Sequence, residues 1–134
     1  MHLRPRFDRD WATGATLVGD LLCIGLFVSL GALRHPEAGP LYVRVPEIAA
    51  PFILGWLVVG AFVGVFTASE LTGTRTVAGR AALAWVGATA VAQTLRATPF
   101  VPGGTAPAFV VVSLVVGGTL LVTWRVLASR AFIG

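Results

Sequence analysis

The chain has little of the material from which catalytic and metal sites are built. Of its 134 residues only 12% are charged, against roughly 25% in a soluble domain. Cys23 is the only cysteine, so neither an internal disulfide nor a cysteine-based metal cluster can form within one chain. The sequence has no phosphate-binding glycine loop, no pair of histidines at metal-ligand spacing and no nucleophile elbow. We therefore expect no catalytic residue, no metal and no cofactor, and predict that the chain is not an enzyme.

Apolar residues make up 56% of the chain and form four continuous runs. The runs fall at about residues 11–33, 48–66, 80–96 and 108–127. About 20 helical residues cross the hydrocarbon core of a bilayer, and the first, second and fourth runs reach that length. The third run is short, so we expect Arg80 and Arg96 to snorkel from its two ends.

The arrangement of these runs predicts the fold class. The runs are continuous and not alternating, which argues against the strands of a membrane barrel. The connections between them are short, and short connections favour antiparallel neighbours. The sequence therefore predicts an all-α polytopic membrane protein, in which residues 1–134 form a single transmembrane domain folded as an antiparallel four-helix bundle in the lipid bilayer.

The arginines indicate how the chain lies in the membrane. The net charge is +4, but the basic residues are dispersed at the ends of the runs and in loops, so we expect no binding of nucleic acid. Basic residues are enriched in cytoplasmic loops. With the N-terminus inside, the cytoplasmic side holds Arg4, Arg6, Arg9, Arg75, Arg80, Arg125 and Arg130, and the outside holds Arg34, Arg44 and Arg96. This asymmetry predicts a multi-pass protein of the cell membrane with both termini in the cytoplasm.

Small residues recur at four-residue spacing within the runs, a spacing that lets helix backbones approach closely in lipid. The pairs and triplets are Gly25 and Ser29, Gly60 and Gly64, Ala84, Ala88 and Ala92, and Ser113 and Gly117. They are consistent with packing within one chain and with the interface of a homo-oligomer, and we favour the former.

Asp20 is the only carboxylate inside the four runs. An acid at membrane depth is costly, so it needs a partner or a water-filled cavity and is a candidate functional group. At about 1.5 Å per helical residue, Asp20, Thr89 and Thr119 all lie about 12 Å from the inner boundary, and Gln93 lies one turn further out. The depths predict a polar cluster of Asp20, Thr89, Gln93 and Thr119, which is the candidate proton or cation site.

Three other charged or titratable residues flank this cluster. Arg125 is the nearest candidate counter-ion for Asp20, although about 9 Å of depth separates the two by the predicted helix ends. His35 and Arg96 lie toward the outer boundary. Two interpretations of Asp20 remain open: a proton or cation site that lines a path, and internal hydrogen-bonding glue that orients the first helix.

Scattered short segments, in their order along the chain, match a known pattern over about residues 17–127. They are Gly19-Asp20-Leu21-Leu22, Gly31, His35, Ala50-Pro51-Phe52, Gly55-Trp56, Trp85, Leu95-Arg96, Phe109-Val110-Val111-Val112 and Thr123-Trp124-Arg125. The chain resembles a prokaryotic family of four-helix integral membrane proteins of unknown function, domain of unknown function 3054. It departs from that pattern at Thr123, where the family often has glycine. The resemblance implies four membrane helices and brings no activity.

Two functions of different classes follow. The first is a membrane transport or permeation component of unknown cargo, with Asp20 as the proton or cation site; four helices enclose little room, so this function requires a homo-oligomer. The alternative is a structural or assembly protein that binds a membrane partner or lipid, with Asp20 as internal glue.

Overall fold

The computed structural model describes residues 10–34, 39–67, 73–99 and 107–132, and these residues form four helices and no strand. The helices are α1 (Trp11–Leu33), α2 (Leu41–Val63), α3 (Thr74–Arg96) and α4 (Pro107–Phe132). In α4, residues 113–117 form a π-helical turn between two α-helical parts. Three of the helices, α1, α2 and α4, are long and apolar enough to cross a membrane. The predicted all-α class of membrane protein is confirmed.

Several helix ends differ from the predicted ones, because helical structure continues beyond the apolar residues. Helix α2 begins seven residues before the predicted residue 48 and includes Pro46, which the helix tolerates near its start at the loss of one backbone hydrogen bond. Helix α3 begins at Thr74 and has 23 residues, so the prediction of a short third helix is wrong. Arg80 lies within α3, where its Nη1 donates to the backbone oxygen of Val63 at 2.6 Å.

Contacts between helix ends define the two ends of the structure. Arg44, near the start of α2, donates to the backbone oxygen of Ala32, near the end of α1, at 3.0 Å. The Trp11 and Phe132 rings lie 5.2 Å apart, so the start of α1 meets the end of α4. We call this end of the structure the Trp11 end, and the opposite end, where α3 finishes, the Arg96 end.

Aromatic side chains from all four helices form the core. Phe27, Phe52, Trp56 and Trp85 are at most 1% exposed, and Phe109 stacks on Phe27 with ring centroids 6.1 Å apart. The Phe52 ring lies 5.5 Å from both Phe27 and Trp85. Such pairs contribute about 0.5–1.5 kcal/mol each beyond the area that they bury, and in lipid, packing of this kind holds helices together.

Small residues let the helices approach, but only some of the predicted ones do so. Ala84, Ala88 and Ala92 are fully buried, and a Cβ on Gly55 would collide with the backbone of Ala88. Gly25, by contrast, has no neighbouring atom within 4 Å of where its Cβ would lie. The alanines of α3 therefore pack within the chain, whereas Gly25 does not, and the homo-oligomer stays a prediction.

Candidate functional site

Asp20 and Arg125 form a buried ion pair between α1 and α4. The exposed fractions of the two residues are 0% and 2%. Arg125 Nε donates to Asp20 Oδ1 at 3.0 Å, and Nη2 donates to Oδ2. This two-pronged contact of a guanidinium with a carboxylate is among the strongest polar contacts in proteins. Arg125 is thus confirmed as the counter-ion of Asp20.

The remaining hydrogen-bonding groups of the pair are also occupied. Trp56 Nε1, from α2, donates to Asp20 Oδ2 at 3.1 Å. Arg125 Nη1 donates to the backbone oxygen of Val65 at 2.6 Å. The Arg125 guanidinium lies over the rings of Trp56 and Phe66, with 5.4 Å and 5.5 Å from Cζ to the ring centroids. Aromatic faces attract a cation, most strongly where water is excluded. Both charges are therefore compensated within one chain.

The depth of Arg125 explains how it reaches Asp20. Helix α4 continues to Phe132, five residues beyond the predicted end. Arg125 is therefore seven residues from its helix end and Asp20 is nine residues from Trp11, a difference of about 3 Å in place of the expected 9 Å. The helix end was misplaced because the last residues of α4 are less apolar than the rest.

The predicted polar cluster does not form around Asp20. The hydrogen bonds to its carboxylate come from Arg125 and Trp56. Thr119 is exposed, and its hydroxyl donates to the Val115 oxygen of its own helix at 2.6 Å. Thr89 is buried, but within the described part of the chain its hydroxyl has no hydrogen-bond partner. The prediction grouped these residues because they lie at equal depth, but depth does not determine the direction in which a side chain points.

Gln93 belongs to a second polar group, nearer the Arg96 end. Its amide nitrogen donates to Ser113 Oγ at 3.4 Å. The Ser113 backbone oxygen, at the start of the π-helical turn, accepts a hydrogen bond from Trp85 Nε1 at 2.8 Å. Gln93 therefore lies on an interior face, as predicted, but joins α3 to α4 and not to Asp20.

Arg96 ends α3 and is only 7% exposed, so its side chain packs within the chain. Its guanidinium lies 4.9 Å above the ring of Phe109. Its Nε and Nη1 are buried and have no hydrogen-bond partner among the residues that the structure describes. His35, the other predicted flanking residue, lies outside the described residues.

The most important residue that the sequence reasoning missed is Trp56. Its depth was a usable signal, since it lies ten residues from the predicted end of the second run and Asp20 lies nine from the predicted start of the first. A buried indole N–H needs an acceptor, and Asp20 was the only acid in the apolar runs. The described residues contain no group of three or more His, Cys, Asp and Glu side chains placed to hold a metal ion.

The fold and this ion pair define a small helical membrane protein in which Asp20 and Arg125 neutralise each other. The chain belongs to the family described as protein of unknown function (DUF3054), which matches residues 17–128 and so includes Asp20, Trp56, Arg96 and Arg125. The family membership suggested by the residues is confirmed. No curated protein and no solved structure matches the chain.

Proposed function

We propose that the protein is a structural or assembly component of the cell membrane, a four-helix bundle that binds a lipid or a membrane partner, with both termini in the cytoplasm. In this proposal Asp20 stabilises the fold and does not carry a proton or a cation. The observation that supports it is the occupation of both carboxylate oxygens by Arg125 and Trp56 in a site that excludes solvent.

The occupied site argues against the rival transport function on two grounds. A transported cation would have to take the place of the Arg125 guanidinium beside Asp20. A proton delivered to Asp20 would leave Arg125 as an uncompensated buried cation, and breaking a buried pair in this way costs several kcal/mol. Either step requires the pair to separate and both groups to find new partners at membrane depth.

The π-helical turn of α4 has a packing explanation as well. Such turns are frequent at functional sites because they free a backbone carbonyl. Here the Ser113 carbonyl accepts the Trp85 N–H, and a Cβ on Gly117 would collide with the Trp85 ring. The turn therefore fits a large core side chain between α3 and α4.

Flux through vesicles tests the proposal. The purified protein is reconstituted in sealed vesicles, and proton and potassium flux are compared for the wild type, for Asp20→Asn/Arg125→Gln and for protein-free vesicles. The double variant removes both charges together, so it leaves no uncompensated one and is expected to fold. We expect no flux above that of empty vesicles. Wild-type flux that the folded double variant loses would overturn the proposal.

Access of water to the interior gives a second test. The half-buried Cys23 lies about one helical turn from Asp20, and its thiol is 3.7 Å from the backbone oxygen of Leu120. A small charged thiol reagent should leave Cys23 unmodified in vesicles and modify it fully after denaturation, as scored by mass. Equally fast modification in both conditions would show that water reaches the Asp20 face and would favour a permeation path.

A further inference from the structure

We infer that the Arg96 end binds a phosphate group, with Arg96 as the binding residue. The phosphate belongs either to a lipid headgroup or to a free phosphate ion, since both present the same oxygens. The inference rests on the proposed function, because it names the chemical class of ligand that the structural protein binds.

The unsatisfied guanidinium of Arg96 is the first observation. Nearly all buried polar groups in native structures are hydrogen-bonded, and a buried charge without partners is costly. Arg96 Nε and Nη1 have no partner within the described part of the chain, although the residue is only 7% exposed. An arginine binds two oxygens of a phosphate at once through its planar donors, so a phosphate supplies the partners that the chain does not.

The missing counter-ion of Arg96 is the second observation. Arg96 forms no ion pair with any described residue. Its charge therefore has no compensating anion among those residues, and a bound phosphate would supply one.

The position of Arg96 at the end of its helix favours phosphate over other anions. Arg96 is the last residue of α3 and Phe109 is the third residue of α4, so the guanidinium lies at the same end of both helices. Long basic side chains near the ends of membrane helices reach the interface, where lipid phosphates lie. The Phe109 ring, 4.9 Å below Cζ, holds the guanidinium plane in place for such a contact.

Binding to the delipidated protein tests the inference in two arms. The protein is purified in a phosphate-free non-ionic detergent. In the first arm, native mass spectrometry compares phosphatidylglycerol with diacylglycerol of the same acyl chains, which has no phosphate. In the second arm, inorganic phosphate is titrated and the melting temperature is recorded. The variants are Arg96→Gln and, as the matched control, Arg34→Gln, an exposed arginine at the same end.

We expect the wild type to bind at least one of the two phosphate probes, and Arg96→Gln to bind it about tenfold more weakly, as the loss of charge-assisted contacts predicts. Arg34→Gln should bind as the wild type does. Tighter binding of phosphatidylglycerol than of diacylglycerol, without an effect of inorganic phosphate, identifies a lipid headgroup. A rise in melting temperature with inorganic phosphate, without that lipid preference, identifies the free ion.

Two results would overturn the inference: wild-type protein that binds neither probe, or folded Arg96→Gln that binds both as well as the wild type. If Arg96→Gln does not fold, Arg96→Lys replaces it. Lysine keeps the charge but loses the planar donors, so this variant should bind the phosphate probe more weakly than the wild type does. Failure here is separate from failure of the proposed function, which is decided by flux dependent on Asp20.

Discussion

Arg125 and Arg96 are both buried, with exposed fractions of 2% and 7%, and both lie over aromatic rings, yet their hydrogen-bond partners differ. Arg125 donates to both carboxylate oxygens of Asp20 and to the backbone oxygen of Val65. Arg96 leaves Nε and Nη1 without a partner among the described residues. The protein therefore compensates one cation from its own chain and leaves the other for its surroundings.

The difference follows from position. Arg125 pairs with Asp20 some nine residues inside α1, where the hydrocarbon core offers no polar group. Arg96, by contrast, is the last residue of its helix. An interior cation must be neutralised within the chain, whereas one at the boundary can be neutralised by a ligand. The contrast separates a group that holds the fold together from a group that is available for binding.

Of the substitutions considered, the removal of Asp20 should lower the free energy of unfolding most. Asp20→Leu leaves the Arg125 guanidinium buried and uncompensated, and breaking a buried pair from one side costs about 3–5 kcal/mol. The free energy of unfolding in mixed detergent micelles is the measurement. The control is Asp20→Leu/Arg125→Met, which removes both charges and should recover most of the loss, because apolar replacements of a buried pair are often neutral or stabilising. A cost below about 1 kcal/mol for the single variant would mean that the pair is dispensable.

The same conservative substitution at the two arginines should give unequal results. Lysine keeps the charge but not the planar donors. Arg125→Lys loses one of the two hydrogen bonds to Asp20 and should lower the free energy of unfolding by about 2–3 kcal/mol, since a hydrogen bond to a charged group contributes about 1.5–3 kcal/mol. Arg96→Lys loses no hydrogen bond to a described residue and should cost less than about 1 kcal/mol without ligand. Equal losses would contradict the distinction between the two sites.

Trp56→Phe tests how much the third hydrogen bond to the Asp20 carboxylate contributes to stability. It removes one donor from Asp20 Oδ2 and keeps most of the ring that packs against Phe66 and Trp85. We expect a loss of about 2 kcal/mol, the cost of an unsatisfied buried acceptor together with a small cavity. Trp11→Phe is the matched control, since Trp11 is exposed, and it should change the free energy of unfolding by less than about 0.5 kcal/mol.

The sequence predicts the helices better than their ends. Continuous apolar runs identify all four helices, because an uninterrupted run of this length crosses a bilayer only as a helix. The ends of α2, α3 and α4 lie outside the runs, at Leu41, Thr74 and Phe132, because backbone hydrogen bonds continue where hydropathy falls. Misplaced ends then misplace depths, which is why Arg125 was expected too far from Asp20.

The sequence does not predict the direction in which the side chains of the site point. Thr119 was placed beside Asp20 by depth, but it is exposed. It follows the π-helical turn at residues 113–117, and one extra residue rotates the rest of a helix by about 100°. That turn depends on how Trp85 and Gly117 pack across two helices, a contact that no local pattern shows. Asp20 itself was identified because an acid in an apolar run is rare whatever way it faces.

The smallest expected effect on stability is that of a substitution at Asp10, an exposed carboxylate that contrasts with the buried Asp20. Asp10 precedes α1, and its Oδ1 accepts a hydrogen bond from the backbone N–H of Thr13 at 2.8 Å. Contacts of the carboxyl with the side chain and backbone of Thr13 hold its pKa below its ordinary value. Because the folded pKa is the lower one, the stabilisation is present at neutral pH and is lost as the pH falls through that pKa. Asp10→Asn keeps an uncharged cap, so its melting temperature should fall less than that of the wild type between pH 6 and pH 3. Equal falls in the two proteins would show that the titration of Asp10 does not contribute to the acid sensitivity of α1, and would leave the buried Asp20–Arg125 pair as the group to test next.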